Sequence, residues 1–291
     1  MSADKRLNLV ICWHMHQPQY CDLISGLYQL PWSYLHATKD YIDMAAHLKA
    51  VPGAKAVVNF APILLEQLSE YAGQVNGFLS ENKAIRDPLL AALACPVLPG
   101  SKDQRMELVN ACLRANELRS IKRFEHYQKL AEMAGWFNEH PSGMLYVGDQ
   151  FIVDLLVWYH LAWMGETVRR ENLLIQQLMA KGTGFSLHDR RELVKLIGEL
   201  LSSVIDGYRE LADRGQVELA MSPYAHPIVP LLLDMDSARE AMPDVSMPQV
   251  TSYPGGEERA RWHITEGIAT FEQFFAKRPT GCWPSEGGVS G

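Results

Sequence analysis

Three segments of the chain place acids or imidazoles where strands are predicted to end. His14 and His16 follow an apolar run and precede Gln17 and a proline. His226 follows a second apolar run, and Glu286 stands in a glycine-rich bend after a third. Parallel strands end at the same edge of a sheet, so these side chains are expected to meet in one cleft. Imidazoles and carboxylates there can transfer protons, attack a substrate or bind metal.

The two histidines of the first segment are predicted to point the same way. Side chains alternate along a strand, so residues two apart share a face of the sheet. Such a pair suits hydrogen bonds to a sugar or ligation of a metal ion. The alternative is that His14 and His16 are structural histidines with no ligand.

The remaining candidates each have a functional and a structural interpretation. Glu218 falls inside an apolar strand, where a carboxylate is costly to bury unless it is paired. It is therefore either a substrate contact or half of an ion pair with an arginine or histidine, and His226 is either a substrate contact or a loop cap. Glu286 is the strongest acid candidate, with Trp283 as an aromatic platform beside it, or else a solvated turn acid. Trp32 either lines a sugar subsite or packs in a loop.

Strands and helices alternate in the predicted order. Parallel strands joined by helices indicate an α/β fold. Four strands are too few to close a barrel of the usual type, so either further strands are missing or the sheet is open. Strands are predicted at residues 7–13, 55–60, 216–221 and 280–283. Helices are predicted at residues 41–51, 62–68, 105–134, 150–164, 189–212 and 255–277.

The composition excludes several classes of protein. Of the 291 residues 47% are hydrophobic, enough for one large domain, and the formal net charge of −7 argues against a nucleic-acid partner. The five cysteines form no CxxC pair, which favours reduced thiols. The sequence shows neither a signal-peptide pattern nor a membrane-spanning run, so a cytoplasmic location without a membrane partner is predicted.

Three segments, in this order, resemble those of glycoside hydrolase family 57, the α-amylase and 4-α-glucanotransferase group. Residues 14–18 (HMHQP) are similar to the first conserved region of that family. Residues 215–220 (GQVELA) resemble its second region, with leucine and alanine replacing the last two residues of the pattern. Residues 283–287 (WPSEG) resemble the third region, whose glutamate is the catalytic nucleophile. The resemblance spans essentially the whole chain.

The resemblance implies a fold and a mechanism. The expected fold is an incomplete, parallel-stranded (β/α)7 barrel, of which about the first four strands are present, with a helical insertion at about residues 85–212. The expected chemistry is retaining hydrolysis or transfer on an α-glucan or maltooligosaccharide, without metal or cofactor and with Glu286 as nucleophile. The expected substrate-binding residues are His14, His16, Gln17, Trp32, Glu218, His226 and Trp283.

The family's acid/base aspartate belongs to a later region that no acid before Glu286 matches. We therefore expect residues 1–291 to be the N-terminal part of a catalytic barrel whose C-terminal remainder is missing. Such a chain is predicted to be inactive by itself. It is also predicted to self-associate through exposed barrel edges.

Two other functions stay open from the residues alone. A metal-dependent polysaccharide deacetylase or mannosidase-like enzyme would use His14 and His16, with Asp40 or His226, to hold Zn²⁺. In that case Glu286 would have no role. A non-catalytic sugar-binding domain would explain the lack of an acid/base residue.

Overall fold

A parallel three-stranded sheet is the framework of the fold. The computed structural model describes residues 9–250 and 252–291. Strands β1 (Cys12–Met15), β2 (Ala56–Phe60) and β3 (Val217–Met221) lie in the order β1-β2-β3, all parallel. His14 is level with Asn59, and Asn59 with Ala220. The predicted α/β class and the second and third strands are confirmed to within one residue.

The first predicted strand, 7–13, was placed too early. Residues 7 and 8 lie outside the described residues, and the strand begins at Cys12 and ends at Met15, so His14 is part of it. Leu9 and Val10 are 80% and 77% exposed, against the expectation of a strand buried on both faces. Among the described residues β1 is an edge strand with β2 as its one strand neighbour, which explains the exposure.

The fourth predicted strand, 280–283, is reduced to one bridge. Cys282 forms an isolated parallel bridge to Met221 of β3. The Met221 amide donates to Gly281 O (3.0 Å), and the Trp283 amide donates to Met221 O (2.7 Å). Pro284 follows without an N–H group, so the pairing ends there.

Most predicted helices are present, several with different bounds. The prediction for 105–134 was wrong as one helix, because turns interrupt it and Asn116 caps a separate π-helical turn, Glu117–Ile121. The short helix predicted at 62–68 extends much further. The helices are α1 (Trp32–His36), α2 (Ile42–Ala50), α3 (Pro62–Glu81), α4 (Pro88–Ala94), α5 (Lys102–Ala111), α6 (Glu125–Glu139), α7 (Asp149–Ala162), α8 (Glu166–Glu171), α9 (Leu173–Lys181), α10 (Leu187–Asp213), α11 (Val229–Leu233), α12 (Ala238–Ala241) and α13 (Gly256–Phe275). None of the helices in the described ranges is long and apolar enough to cross a membrane.

The chain divides into two compact units. The sheet unit comprises Met1–Gln19, His47–Gln67 and Ile205–Gly291 and holds the three strands. The helical unit comprises Tyr20–Ala46 and Leu68–Val204. Whether residues 85–212 are an insertion within one catalytic domain stays a prediction.

The two faces of the sheet differ in burial. On one face Phe60 is fully buried, and its ring packs against Tyr208 of α10 and Phe275 of α13, with centroids 5.2 and 5.3 Å apart. Side chains alternate, so His14 and Asn59 lie on the opposite face. His14 is exposed there. The sheet thus buries one face in its own core and presents polar groups on the other.

Candidate functional site

Three imidazoles from two separate segments of the sheet unit form one cluster. The ring centroids of His16 and His226 are 3.9 Å apart with nearly parallel planes. Those of His14 and His226 are 4.8 Å apart, and those of His14 and His16 are 5.8 Å apart. One nitrogen of each ring lies within 4.8 Å of the other two. This cluster, His14, His16 and His226, is called the histidine cluster below.

Asn59 of β2 orients the first of these rings. His14 Nδ1 lies 2.6 Å from Asn59 Oδ1, and the Ser222 hydroxyl donates to the same oxygen at 3.0 Å. An amide oxygen only accepts hydrogen bonds, so His14 donates from Nδ1, and its Nε2 is the unprotonated nitrogen. Asn59 and Ser222 are both fully buried. The two buried groups therefore fix both the ring and the tautomer of His14.

A tight turn after β3 presents His226. Its amide donates to Pro223 O at 2.8 Å, and its backbone has a φ of 60°. The turn is attached on both sides: the Tyr224 hydroxyl donates to Glu66, and the Tyr224 amide donates to His263 O at 2.8 Å. The His226 side chain is 3% exposed, and its Nε2 has no hydrogen-bond partner.

Glu286 lies on a second tight turn that faces the histidine cluster. After Pro284, the Gly287 amide donates to Pro284 O at 2.9 Å, and Glu286 itself has a φ of 56°. Ser285 is buried beneath the turn, while the Glu286 side chain is 69% exposed. Glu286 Oε1 lies 3.7 Å from His226 Nδ1. The structure thus places a solvent-accessible carboxylate against the imidazoles.

The environment favours neutral imidazoles. Burial, followed by the charges of His226 and His14, lowers the pKa of His16 to about 4. Burial, followed by the charge of His14, also lowers the pKa of His226, and the nearby Glu286 carboxylate partly opposes this effect. Both rings are therefore uncharged at neutral pH. A neutral ring can accept a hydrogen bond or bind a metal ion through its free nitrogen.

The other residues predicted near the cluster occupy the same unit. The Gln17 backbone belongs to a turn that Gln67 holds, since Gln67 Nε2 donates to Pro18 O at 3.0 Å. Trp283, 42% exposed, offers an accessible indole three residues before Glu286. Their contacts with a substrate stay predictions.

Glu218 and Trp32 are the two remaining predicted substrate contacts. Glu218 is near the amino end of β3, level with Cys12 of the first strand, and is exposed rather than buried, with a hydrogen bond from the Thr280 hydroxyl at 3.2 Å. The expected buried ion pair of Glu218 is therefore not formed. Trp32 belongs to the helical unit, where its ring lies 5.6 Å from that of Trp163.

Sequence reasoning missed Asn59, Ser222 and Gln67, which hold the candidate groups in place. A signal existed for Asn59, because it is a lone polar residue in the run 56–60 (AVVNF). A buried amide needs hydrogen-bond partners, and its level in the sheet gives it His14. Ser222 and Gln67 had no such signal, since serine and glutamine are ordinary in turns and helices.

Comparison with solved structures finds several carbohydrate-active enzymes of low identity. A GH57-type branching enzyme from Pyrococcus horikoshii is 17% identical (TM-score 0.40), with 95% of this chain and 34% of that chain covered. A GH57 branching enzyme from Thermococcus kodakaraensis is 18% identical (TM-score 0.40), with 95% and 32% covered. The α-amylase AmyC from Thermotoga maritima is 16% identical (TM-score 0.39), with 95% and 35% covered.

This chain thus spans about a third of the length of each of these enzymes. Among the curated proteins none matches it. The model of glycosyl hydrolase family 57 matches residues 10–290, which include the histidine cluster and Glu286. The chain belongs to glycosyl hydrolase family 57.

Proposed function

We propose that the chain carries the catalytic nucleophile of a retaining enzyme that acts on α-glucans, as a hydrolase or glucanotransferase. The observation that carries this proposal is the position of Glu286. Its carboxylate is accessible, lies on a constrained turn and is 3.7 Å from His226, one of the three clustered imidazoles. A carboxylate that attacks an anomeric carbon needs this combination of access and fixed direction.

The reaction would begin at Glu286. A carboxylate oxygen attacks the anomeric carbon, the bond to the leaving oxygen breaks, and a glycosyl-enzyme forms. The rings of the histidine cluster would accept hydrogen bonds from sugar hydroxyls or donate hydrogen bonds to them, and the Trp283 indole would stack on a sugar face. Gln17, Trp32 and Glu218 complete the proposed substrate contacts.

Completing the reaction needs a second carboxylate about 5–5.5 Å from the first, as proton donor and then base. No acid in residues 1–285 carries the family's acid/base pattern. The proposal therefore assigns the acid/base role to a carboxylate that is not among these residues. We therefore expect the 291-residue chain alone to hydrolyse maltooligosaccharide little or not at all. In the proposed fold context, the three strands and the bridge at Cys282 belong to an incomplete (β/α)7 barrel of a cytoplasmic protein.

A substrate that leaves without protonation tests the nucleophile directly. In α-glucosyl fluoride the carbon–fluorine bond breaks to release fluoride, which needs little help from an acid. The wild-type chain is expected to release a burst of about one fluoride per chain and then stop, because the glycosyl-enzyme lacks its base. A fluoride electrode measures the burst, and maltotetraose hydrolysis is measured in parallel.

The matched control replaces Glu272, another exposed glutamate of the sheet unit. Glu286→Gln is expected to abolish the burst, whereas Glu272→Gln leaves its stoichiometry unchanged. An undiminished burst in Glu286→Gln would overturn the assignment. Binding of maltotetraose with no burst in any variant would favour the non-catalytic sugar-binding function. Sustained maltotetraose hydrolysis would overturn the expected inactivity.

A further inference from the structure

The histidine cluster has a feature that sugar binding does not require. The Nε2 atom of His226 is buried and has no hydrogen-bond partner, although the side chain is 3% exposed. A buried polar nitrogen without a partner costs free energy, so its position calls for a ligand. One nitrogen from each of His14 and His16 lies within 4.8 Å of a ring nitrogen of His226. Three imidazoles thus converge, and one of them, His226, has a buried nitrogen without a partner.

We propose that His14, His16 and His226 bind one divalent first-row transition metal ion, such as Zn²⁺. Three imidazole nitrogens and one open position form a common zinc site, and the open position can take an oxygen atom of water or of a ligand. Zinc–nitrogen bonds of about 2.0–2.1 Å separate tetrahedral ligand atoms by about 3.3 Å. The ring nitrogens of the three histidines, now up to 4.8 Å apart, therefore move closer together when the ion binds.

The groups around the cluster match what a metal site needs. A ligating histidine usually donates its second ring N–H to an oxygen, which fixes the tautomer. His14 does this through Nδ1 to Asn59 Oδ1, which leaves Nε2 for the ion. Glu286, whose Oε1 lies 3.7 Å from His226 Nδ1, adds a carboxylate beside the cluster.

The metal site does not depend on the proposed glycosyl transfer. A zinc ion at these residues is required by the deacetylase-like hypothesis, but it is equally compatible with a glycosidase whose imidazoles bind zinc when no sugar is present. Of the partners considered from the sequence, Asp40 belongs to the helical unit and is hydrogen-bonded to His36 and Lys39. His226 is therefore the third ligand.

Calorimetric titration of the purified chain with ZnCl₂, without substrate, tests the site. One Zn²⁺ per chain is expected, with micromolar or tighter affinity. Loss of one ligand is expected to weaken binding about 100-fold or more, since even outer partners of ligands contribute 10–100-fold. The variants are His16→Ala and His226→Asn, because asparagine tolerates the left-handed backbone at position 226. Co²⁺ is a second probe, whose tetrahedral visible absorption should vanish in both variants.

His188→Ala is the matched control, since His188 is an exposed histidine of the helical unit. It should bind Zn²⁺ like the wild type, and circular dichroism should show that all variants are folded. The proposal is overturned if the wild type binds no stoichiometric Zn²⁺, or if both cluster variants keep wild-type affinity. The fluoride burst is a separate readout, so failure of one proposal leaves the other intact.

Discussion

Two residues of the candidate site share an unusual backbone conformation. His226 and Glu286 have φ values of 60° and 56°, in the left-handed region where residues other than glycine are strained. Each side chain is thereby aimed from a tight turn instead of a regular strand. His226 is held by Tyr224 on one side, and Glu286 by the turn around Ser285. Strain that concentrates on two neighbouring polar residues is what a preorganised site requires.

Much of this residue-level picture could be predicted from sequence. The alternation rule predicts His14 and His16 on one face, and the common edge of parallel strand ends predicts that His226 and Glu286 lie near each other. The orientation of His14 could not be predicted, because it depends on Asn59 being level with it in the neighbouring strand. Register of this kind is set by tertiary packing, not by local pattern.

A buried histidine of the helical unit gives a pH-dependent prediction. His160 of α7 accepts a hydrogen bond at Nε2 from the Tyr34 hydroxyl (2.9 Å) and donates from Nδ1 to Leu156 O (2.7 Å). Burial lowers the pKa of His160 to about 4, from 6.5. As the pH falls from 6.5 to 4, the unfolded chain takes up a proton that the folded chain excludes. The free energy of unfolding should therefore fall by roughly 3 kcal/mol across this window.

Urea unfolding at several pH values measures this loss. His160→Gln should be less stable than the wild type at pH 7, and the difference should narrow as the pH falls to 4. His188→Gln, at an exposed position, should keep the wild-type pH dependence. If the free energies of unfolding of the wild type and His160→Gln differed by the same amount at every pH, the account would be contradicted.

At the scale of elements, strand β2 and the start of helix α3 show why some bounds were predictable. The β2 run is apolar and β-branched, and Pro62 two residues later starts α3, so both ends were visible in the sequence. The bridge at Cys282 was less predictable, because its length depends on pairing with Met221. The break within 105–134 was missed because apolar residues continue through the turns.

The end of α13 gives a stability prediction. Its C-cap, Ala276, has a left-handed backbone (φ 53°) that glycine adopts without strain. Ala276→Gly should therefore raise the free energy of unfolding by about 0.5–1 kcal/mol. Ala269→Gly, at an exposed position inside the same helix, should lower it by about 1 kcal/mol. Chemical denaturation checks both values, and equal losses in the two variants would contradict the assigned conformation.

At the scale of the whole molecule, two exposed apolar residues beside the sheet edge favour self-association. Leu9 and Val10 precede the edge strand β1 and are 80% and 77% exposed. Exposed apolar residues next to unpaired strand groups favour contact between copies of the chain. We therefore expect the chain to self-associate as its concentration rises.

Sedimentation velocity over a concentration series tests this association. The double variant Leu9→Lys/Val10→Lys should shift the chain toward monomer. Leu118→Lys, at a 73% exposed leucine of the helical unit, should leave the wild-type distribution unchanged. A wild type that remains a sharp monomer at every concentration would contradict the prediction.

The central claim, that Glu286 is the nucleophile of a family 57 site, is tested most directly by locating the trapped sugar. The chain is treated with α-glucosyl fluoride, quenched in acid and digested, and its peptides are sequenced by mass spectrometry. The account predicts one glucosyl group, attached through an ester to Glu286 and absent from Glu286→Gln. A glucosyl group on another carboxylate, or none under conditions that release fluoride from the wild type, would contradict it.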